Sequence, residues 1–384
     1  MTQWSWLIYM GADNDLDEST AADLDEMKKA NPEEVQLVVQ VDHLDRATKR
    51  HMLVKGNAFL DFPRIKSKIA HTTNMDSRNP VVISSFLRFA QGKAPSKHRA
   101  VVFWSHTAGF QNFSFEGADP EVSVPKKPRK QGGGKEHTAE YESVSRFLRH
   151  ANMARALEMA REERKGKEKG RKKQKEKPTL QPPFEIIGCD SCLMSMVEVA
   201  HEIREHGVFL VASQSNISRE GWDYGDVLSR FTVEHTPDEV AKFVVEAGRK
   251  KDKTMFAIRL DRMKDVAKAL DELGAELLPL LESRRDAIGK ARDEVRLFPR
   301  LGYIDLHHFA TLLKKHLGNA IDGAADSVIK AVEAAVLTPA ETNDTARGLT
   351  VYVPTIEVDE NYKKLSLATA AEKWAEFVTK HATL

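Results

Sequence analysis

Two side chains in this sequence are of the types that carry nucleophilic catalysis, the thiol of Cys192 and the imidazole of His106. Cys192 follows the short run Phe184–Ile187, whose aromatic and β-branched residues predict a buried strand. Apolar residues then recur at helical spacing from Leu193 to Ala200, which predicts a helix that begins at or just after Cys192. A thiol at such a strand-to-helix turn faces the positive end of the helix dipole, which favours the nucleophilic thiolate.

His106 stands at the end of a second apolar run, Ala100–Trp104, which is typical of a strand inside a parallel sheet. In open α/β sheets, binding sites form outside the carboxyl ends of the strands. A histidine that ends one strand can therefore meet a cysteine that ends another, and its imidazole can act as a base or as an acid toward the leaving amine. The sequence thus predicts thiol-based nucleophilic catalysis at that edge of the sheet.

Cys189 and Cys192 also form a C-x-x-C pair, which in a reduced protein is typical of thiol–disulfide exchange. Cys189 continues the apolar strand, so we expect its side chain to point into the core. An oxidoreductase that uses both sulfurs therefore remains the chief alternative to a thiol that works with histidine.

Apolar runs and helical spacings alternate along the chain and predict the elements that must position these residues. The alternation indicates an α/β fold with a mostly parallel sheet flanked by helices. We expect strands at Trp4–Met10, Val35–Val41, His51–Leu60 (a hairpin turning at Gly56-Asn57), Ala100–Trp104, Phe184–Ile187, Val208–Ala212, Thr254–Leu260 and Leu349–Val353. We expect helices around Leu24 and Met27 and at Pro80–Ala90, Glu140–Glu163, Pro237–Gly248, Lys264–Leu281, Leu306–Leu317, Asp322–Leu337 and Ala370–Lys380.

The composition is that of an ordinary soluble protein, with 384 residues, 41% hydrophobic residues, 30% charged residues and a net charge of +1. Two cysteines exclude a disulfide framework and favour a reducing compartment. The first residues lack the basic and apolar parts of a secretory signal, so we expect a cytoplasmic protein, with a removed signal as the open alternative. No apolar run approaches the roughly 18 residues of a membrane span, so we expect no membrane partner.

Residues 122–181 differ from the rest of the chain in composition, and we interpret them as a basic, partly disordered insert. Within it, residues 161–177 carry ten Lys or Arg and four Asp or Glu, a net charge of +6, which leaves 1 − 6 = −5 for the remainder. A mildly acidic body suits a basic substrate. No aromatic residues interleave the lysines, so we expect no nucleic-acid partner. An inert charged loop and a functional one both remain open.

The chain resembles clostripain-like cysteine peptidases of the caspase–gingipain–legumain superfamily. The motif around Cys192, Ile187–Ala200, is the most specific of the matching segments. The others lie in the family's order and are Tyr9–Leu16, Asp23–Met27, Phe103–His106, Val211–Gln214, Gly221–Tyr224 and Gly348–Pro354. The resemblance implies a caspase-like three-layer sandwich. We expect a catalytic domain at residues 1–260, and at 261–384 a helical extension with a late strand that completes the same α/β unit.

The resemblance also implies a His106/Cys192 dyad and cleavage after Arg or Lys. A pocket for a basic side chain needs a carboxylate at its base, and Asp190 is the first candidate. The backbone amides of Thr107 and Cys192 are the expected oxyanion hole. The family usually has His-Gly where this chain has His106-Thr107, and glycine tolerates backbone angles that threonine does not. Lower activity, or a different local turn, is therefore expected there.

Further substrate-contacting residues are predicted beside this pocket. They are Ser213, Gln214, Trp222 and Asp13. Helix capping is the favoured role of Asp13 and of Asp15, which also follows the first strand, and core packing is the alternative for Trp222.

We expect no cofactor. The histidines lack zinc-ligand spacing, and Asp13–Asp17 could offer oxygens to calcium but has Glu18 where an EF-hand loop needs glycine. The residues and the resemblance together predict a cysteine endopeptidase that acts on proteins or peptides with basic residues. Activation by self-cleavage in the insert and an inert loop there are the two open alternatives. The competing hypotheses are the oxidoreductase and a catalytically silent peptide-binding relative.

Overall fold

The computed structural model describes residues 2–44, 47–62, 77–110, 153–159, 184–232, 234–340 and 344–383. The described backbone divides into two compact units. The first contains residues 2–107, 153–159 and 219–235, and the second contains residues 108–110, 184–218 and 236–383. The sequence predicts two continuous domains that meet at residue 260, whereas each of these units combines several segments of the chain. The boundary at residue 260 stays a prediction.

The first unit is built on five strands in the order β4-β3-β2-β1-β5. They are β1 (Thr2–Ala12), β2 (Val35–His43), β3 (Lys49–Val54), β4 (Ala58–Phe62) and β5 (Ser96–Trp104). Strand β1 is parallel to β2 and to β5, whereas β3 and β4 add antiparallel strands at one edge. The seven residues from Trp4 to Met10 are all fully buried, as expected for a parallel strand covered on both faces.

The helices of the first unit follow from local sequence signals. They are the 3-10 helix Asp15–Ser19, α1 (Thr20–Met27) and α2 (Pro80–Lys93), with helical residues at 153–159 and a late helix, Tyr224–Ser229. Helix α2 begins with Pro80 in its first turn, and the Asn79 side chain accepts the N–H of Val81. The hairpin turn is at Gly56 and Asn57, both with positive φ, as predicted.

The second unit contains three strands of a sheet and a separate strand pair. Strands β6 (Phe184–Asp190) and β7 (Gly207–Ser213) are parallel, and β8 (Met255–Arg259) is antiparallel to β7. The pair is β9 (Tyr303–Asp305) and β10 (Thr350–Tyr352), which are antiparallel. Numbered in sequence, with Tyr224–Ser229 of the first unit as α4, the helices here are α3 (Val197–Ile203), α5 (Pro237–Gly248), α6 (Met263–Leu277), α7 (Arg285–Glu294), α8 (Leu306–Leu317), α9 (Asp322–Ala335), α10 (Ser366–Ala370) and α11 (Glu372–His381).

The α/β fold class is confirmed, with parallel strands and flanking helices in both units. Sequence patterns missed α4, α7, α10 and the short strand β9, and the predicted last helix, Ala370–Lys380, corresponds to α11. The expected disorder of the insert and most of its expected helix, Glu140–Glu163, lie outside the described residues. Within the part of the chain that the structure describes, no helix has the length and apolar character needed to cross a membrane.

Candidate active site

Cys192 lies two residues beyond the end of β6, in a turn, and is partly exposed. The predicted helix at Cys192 is wrong, because α3 begins only at Val197. Leu193 has φ +61°, which interrupts any helix there. The donor that the thiol meets is therefore not a helix terminus but a loop amide: the N–H of Ile217 points at Sγ, with an N···S distance of 3.3 Å.

The other thiol, Cys189, lies inside β6 with 1% of its surface exposed, as predicted. Burial, and then the charge of neighbouring Asp190, raises the pKa of the Cys189 thiol to about 12. A thiol in this state is protonated near neutral pH and closed to solvent. The two cysteines form no disulfide, and they differ in that Cys189 is buried whereas Cys192 is partly exposed.

His106 follows β5 by two residues, as predicted, and its side chain is 19% exposed. Its Nε2 lies 2.8 Å from Oδ1 of Asp15. Oδ2 of Asp15 in turn accepts a hydrogen bond of 2.8 Å from Arg219. Burial acts to raise the pKa of Asp15, but the hydrogen bonds and positive charges of His106 and Arg219 outweigh it, so this pKa lies below its usual value.

The expected helix-capping roles of Asp13 and Asp15 are wrong. Asn14 is the cap of the 3-10 helix, because its Oδ1 accepts the N–H of Leu16 at 2.9 Å. Asp15 is instead the partner of His106. Asp13 lies after β1 in a partly buried position, and its predicted contact with substrate stays a prediction.

Residues 108–110, which follow Thr107, pack inside the second unit. The hydroxyl of Tyr303 donates to the carbonyl of Ala108 at 2.8 Å, and the rings of Phe110 and Tyr303 stack with centroids 6.1 Å apart. Gly109 has φ +62°, and a Cβ built there would lie 2.6 Å from Sδ of Met196. Gly109, three residues after His106, therefore lies against Met196, four residues after Cys192.

Thr107 does not occupy a glycine-only conformation. Among the described residues other than glycine, positive φ angles occur only at Asn57 and Leu193. Thr107 thus has an ordinary backbone angle and is buried. The position in this loop that requires glycine is Gly109, two residues later.

The predicted specificity residue Asp190 is the last residue of β6 and is 5% exposed. Its carboxylate is therefore a largely buried negative charge two residues before the candidate nucleophile. Trp222, predicted to contact substrate, is buried beside Tyr224, with ring centroids 6.4 Å apart. The structure gives Trp222 the packing role that was its alternative, and its contact with substrate stays a prediction.

Ser213 and Gln214, at the end of β7, are fully buried. Ser213 Oγ lies 2.9 Å from Thr254 Oγ1. The Gln214 side chain donates to Asp305 Oδ2 at 3.0 Å and accepts the N–H of Gly348 at 2.9 Å. Both side chains hold the second unit together, and their predicted role in substrate binding stays a prediction.

The segment Asp13–Asp17 does not fit a calcium ion. Asp15 is paired with His106 and Arg219, and Asp17 lies 2.6 Å from the Nδ1 of His43. Asn14 uses its side chain on the backbone of Gly11 and Leu16. The side-chain oxygens of Asn14, Asp15 and Asp17 therefore diverge to separate partners. No group of three or more metal-ligand side chains occurs in the described ranges.

Three contributors were not predicted from sequence: Asp15 as a histidine partner, Ile217 as a donor to the thiol, and Tyr303 under the loop after His106. Asp15 offered a signal, since it follows a strand that we placed in the same sheet as His106. The other two lie 25 and 195 residues from their partners, and no sequence pattern marks them.

The sequence profile of the Clostripain family matches residues 8–116 and 175–379. This match covers most of the chain, so the chain belongs to that family of cysteine peptidases. The unmatched residues between the two segments fall largely within the predicted insert. Among curated proteins, none matches the chain.

Three solved structures are similar to this chain along nearly its whole length. An inactive zymogen of a C11 protease from Parabacteroides distasonis has a TM-score of 0.63 at 16% identity, covering 97% of this chain and 99% of that one. A secreted C11 cysteine protease from Bacteroides thetaiotaomicron, bound to an irreversible peptide inhibitor, has a TM-score of 0.62 at 18% identity with the same coverage. A second structure of a secreted C11 protease from that organism, called iotapain, has a TM-score of 0.64 at 12% identity, covering 96% and 99%. These similarities concern the fold and confirm the predicted caspase-like class.

Proposed function

We propose that this member of the clostripain family is an endopeptidase that cleaves after Arg or Lys, with Cys192 as the nucleophile and His106 as the proton carrier. The contrast between the two thiols carries the proposal. Cys189 is sealed in β6, whereas Cys192 is partly exposed and receives an N–H from Ile217 at 3.3 Å. A hydrogen bond to sulfur favours the thiolate. His106 also follows a parallel strand and has a carboxylate partner.

The chemistry follows from these roles. The Cys192 thiolate attacks the scissile carbonyl carbon, so a C–S bond forms and the carbonyl oxygen gains negative charge, facing the amides of Thr107 and Cys192. The C–N bond then breaks as His106 gives its proton to the leaving amine. Water then attacks the carbonyl carbon of the resulting thioester while His106 accepts a proton from that water. The C–S bond breaks, which releases the carboxylate product and restores the Cys192 thiolate.

Asp190 is proposed to select the basic side chain that precedes the scissile bond. A largely buried carboxylate offers a guanidinium or ammonium group the partner that it needs outside water. Replacing it by Asn should reduce kcat/KM for Arg and Lys peptides by a free energy on the order of 3–5 kcal/mol. Peptides with Leu at that position should lose far less. An equal loss on both kinds of peptide would assign Asp190 to structure.

The direct test is the hydrolysis of short fluorogenic peptides that end in Arg, Lys, Asp or Leu. We expect cleavage of the Arg and Lys peptides by the wild type, and none by Cys192→Ala or His106→Ala. The double variant should lose no more than either single one, because residues that act as a unit are not additive. Cys189→Ala is the matched control and should keep its activity. Circular dichroism should be unchanged in all four.

The same panel separates the competing hypotheses. A thiol–disulfide oxidoreductase needs both sulfurs, so under that hypothesis Cys189→Ala would be inactive in a thiol-exchange assay. The raised pKa of the Cys189 thiol opposes a role for it in thiol exchange. A silent peptide-binding relative would bind the peptides without cutting them. Thr107 has no positive φ, so backbone strain at that position, the main reason to expect silence, is absent.

We include self-cleavage within residues 122–181 in the proposed function. The insert follows His106 and precedes Cys192 in the chain, and its residues 126–135 and 161–177 are rich in Lys and Arg. One of the similar structures is described as an inactive zymogen, which supports an activation step in this protein. An uncut segment could occupy the Asp190 pocket as a substrate does. Cleavage would then free that pocket.

A further inference from the structure

The geometry points to Asp15 as the positioning residue of His106, with Arg219 as the cation that moderates the charge of Asp15. The inference rests on the proposed function, in which His106 carries the proton. One carboxylate serves both partners: its Oδ1 lies 2.8 Å from His106 Nε2, and its Oδ2 lies 2.8 Å from Arg219 Nη2. The same guanidinium nitrogen also donates to the backbone carbonyl of Asp15 at 3.2 Å.

Asp15 is held in place by the ends of two adjacent strands. The Asn14 side chain caps the 3-10 helix at Leu16 N and also donates to the carbonyl of Gly11 at 3.0 Å. The same carbonyl accepts the hydroxyl of Ser105 at 2.8 Å. Ser105 directly precedes His106, and Asn14 directly precedes Asp15. The side chains of the residues that precede Asp15 and His106 therefore both donate to the carbonyl oxygen of Gly11.

This contact determines which ring nitrogen is free for catalysis. Asp15 has a pKa below its usual value, so its carboxylate is ionised near neutral pH and can only accept a hydrogen bond. Nε2 of His106 must therefore carry a hydrogen in the neutral ring. Nδ1 is then the nitrogen that exchanges a proton with the thiol and with the leaving amine.

Arg219 sets how strongly Asp15 favours the charged imidazolium. Its guanidinium lies 2.8 Å from Asp15 and 3.5 Å from Glu18, and its side chain is 44% exposed. Asp17, on the same 3-10 helix, is 2.6 Å from the Nδ1 of His43 and so belongs to a separate pair. Removing the Asp15 charge should destabilise the imidazolium, whereas removing Arg219 should stabilise it. The two changes therefore have opposite signs.

The experiment measures kcat/KM on an Arg peptide against pH for the wild type, Asp15→Asn, Arg219→Ala and Asp17→Asn. The alkaline limb reports the imidazolium of a thiolate–imidazolium pair. We expect that limb to move to lower pH in Asp15→Asn and to higher pH in Arg219→Ala. Asp15→Asn should also lower kcat, on the order of 10²-fold, with less change in KM. Asp17→Asn removes a histidine partner on the same helix and should leave the profile in place.

Nitrogen-15 NMR of the His106 ring, assigned by comparison with His106→Gln, reads the tautomer without any turnover. We expect the Nε2–H form in the neutral wild-type ring. The Nδ1–H form would overturn the inference, as would coincident alkaline limbs for the wild type and Asp15→Asn. Shifts of the same sign in Asp15→Asn and Arg219→Ala would also overturn it, since they would indicate local unfolding. A wild type that cuts no peptide while its ring shows Nε2–H would reject the proposed function and keep the His–Asp assignment.

Discussion

The Cys189 thiol has 1% of its surface exposed inside β6, whereas the Cys192 thiol is partly exposed in the turn that follows. The two thiols lie three positions apart in the sequence, and burial raises the pKa of the Cys189 thiol to about 12. Alkylating reagents attack the thiolate, so a buried thiol with a raised pKa should resist them, whereas a partly exposed thiol is accessible to them. This contrast can be measured without knowing any substrate.

Iodoacetamide at pH 8 should therefore modify the native wild type once, at Cys192. Native Cys192→Ala should stay unmodified on the same timescale, and both proteins should react at every cysteine in denaturant. Intact-mass spectrometry followed by peptide mapping gives the result. Modification of Cys189 in the native protein would contradict its placement in the core.

Gly109 provides a second test at this scale. Gly109→Ala puts a methyl group 2.6 Å from Met196 Sδ and 2.7 Å from Tyr303 Oη, at φ +62°. The combined overpacking and backbone strain should lower the free energy of unfolding by about 1–3 kcal/mol. Gly289→Ala is the matched control: it lies within α7 with nothing within 4 Å of its built Cβ, so it should raise stability by roughly 0.5–1 kcal/mol. Urea unfolding compares the two, and a neutral Gly109→Ala would contradict the packing described for this loop.

Residue types and strand ends were enough to single out Cys192 and His106 in the sequence. They were not enough to identify Asp15 as the partner of His106. Helix capping and histidine binding are both ordinary roles for an aspartate after a strand, and Asn14 takes the first. Which neighbour caps depends on backbone angles that a single sequence does not contain.

At the scale of elements, the segment after Cys192 shows why apolar spacing misplaces a helix start. Leu193, Met196 and Val197 have helical spacing, but the first two precede α3, in a segment that is held by other contacts. The N–H of Leu193 donates to the carbonyl of Ser215 at 2.9 Å, and that of Ser195 donates to the carbonyl of Ser213 at 2.8 Å. Tertiary hydrogen bonds thus replace the first turns of the predicted helix.

The short helix α3 carries a buried carboxyl group, Glu198, with 0% of its surface exposed. Its Oε1 accepts the N–H of Tyr352 at 2.9 Å. Burial raises the pKa of Glu198 to about 7, and the Tyr352 hydrogen bond only partly opposes that shift. The folded protein therefore keeps this group protonated in a pH range where the unfolded chain ionises it.

The sign of the pH effect follows. The contribution of Glu198 to stability should be complete below its ordinary pKa near 4.5 and lost as the pH rises through about 7. Relative to Glu198→Gln, the wild type should lose about 3 kcal/mol of unfolding free energy between pH 4.5 and pH 8. Both proteins should carry Cys192→Ala to prevent self-cleavage. Asp42, whose pKa burial also raises to about 7, is present in both and cancels in the comparison. Parallel pH profiles in urea unfolding would contradict the burial of an ionisable Glu198.

At the scale of the whole molecule, alternating apolar strands and amphipathic helices were enough to predict the α/β class. The elements that sequence missed are those with the weakest local signal, and two of them, α4 and α10, have only six and five residues. Strand β9 has three residues, and α7 is rich in charge, with Arg285, Asp286, Lys290, Arg292, Asp293 and Glu294 among its ten residues. Their places depend on long-range packing, which a pattern of neighbours does not report.

The proposed self-cleavage is tested on the intact protein. Wild type and Cys192→Ala should be incubated side by side and followed by denaturing gel and mass spectrometry. We expect cuts after Lys or Arg within residues 122–181 in the wild type only. Equal cutting in both proteins would indicate a contaminating protease. A wild type that stays whole and is fully active on the Arg peptide would remove activation from the proposal and leave the peptidase function standing.

Each of the two compact units includes one segment that the insert separates, in the sequence, from most of that unit's residues. Residues 108–110 precede the insert but pack against Met196 and Tyr303, which follow it. Residues 219–235 follow the insert but bring Phe231 to within 5.4 Å of Trp6, measured between ring centroids, and carry Arg219 to Asp15. A chain that is cut in the insert would thus consist of two polypeptides. Each of them would keep a segment that packs among residues of the other. The two polypeptides should elute together from gel filtration in native buffer and separate only in denaturant. A cut in the insert would therefore break the covalent chain without changing the size of the folded molecule.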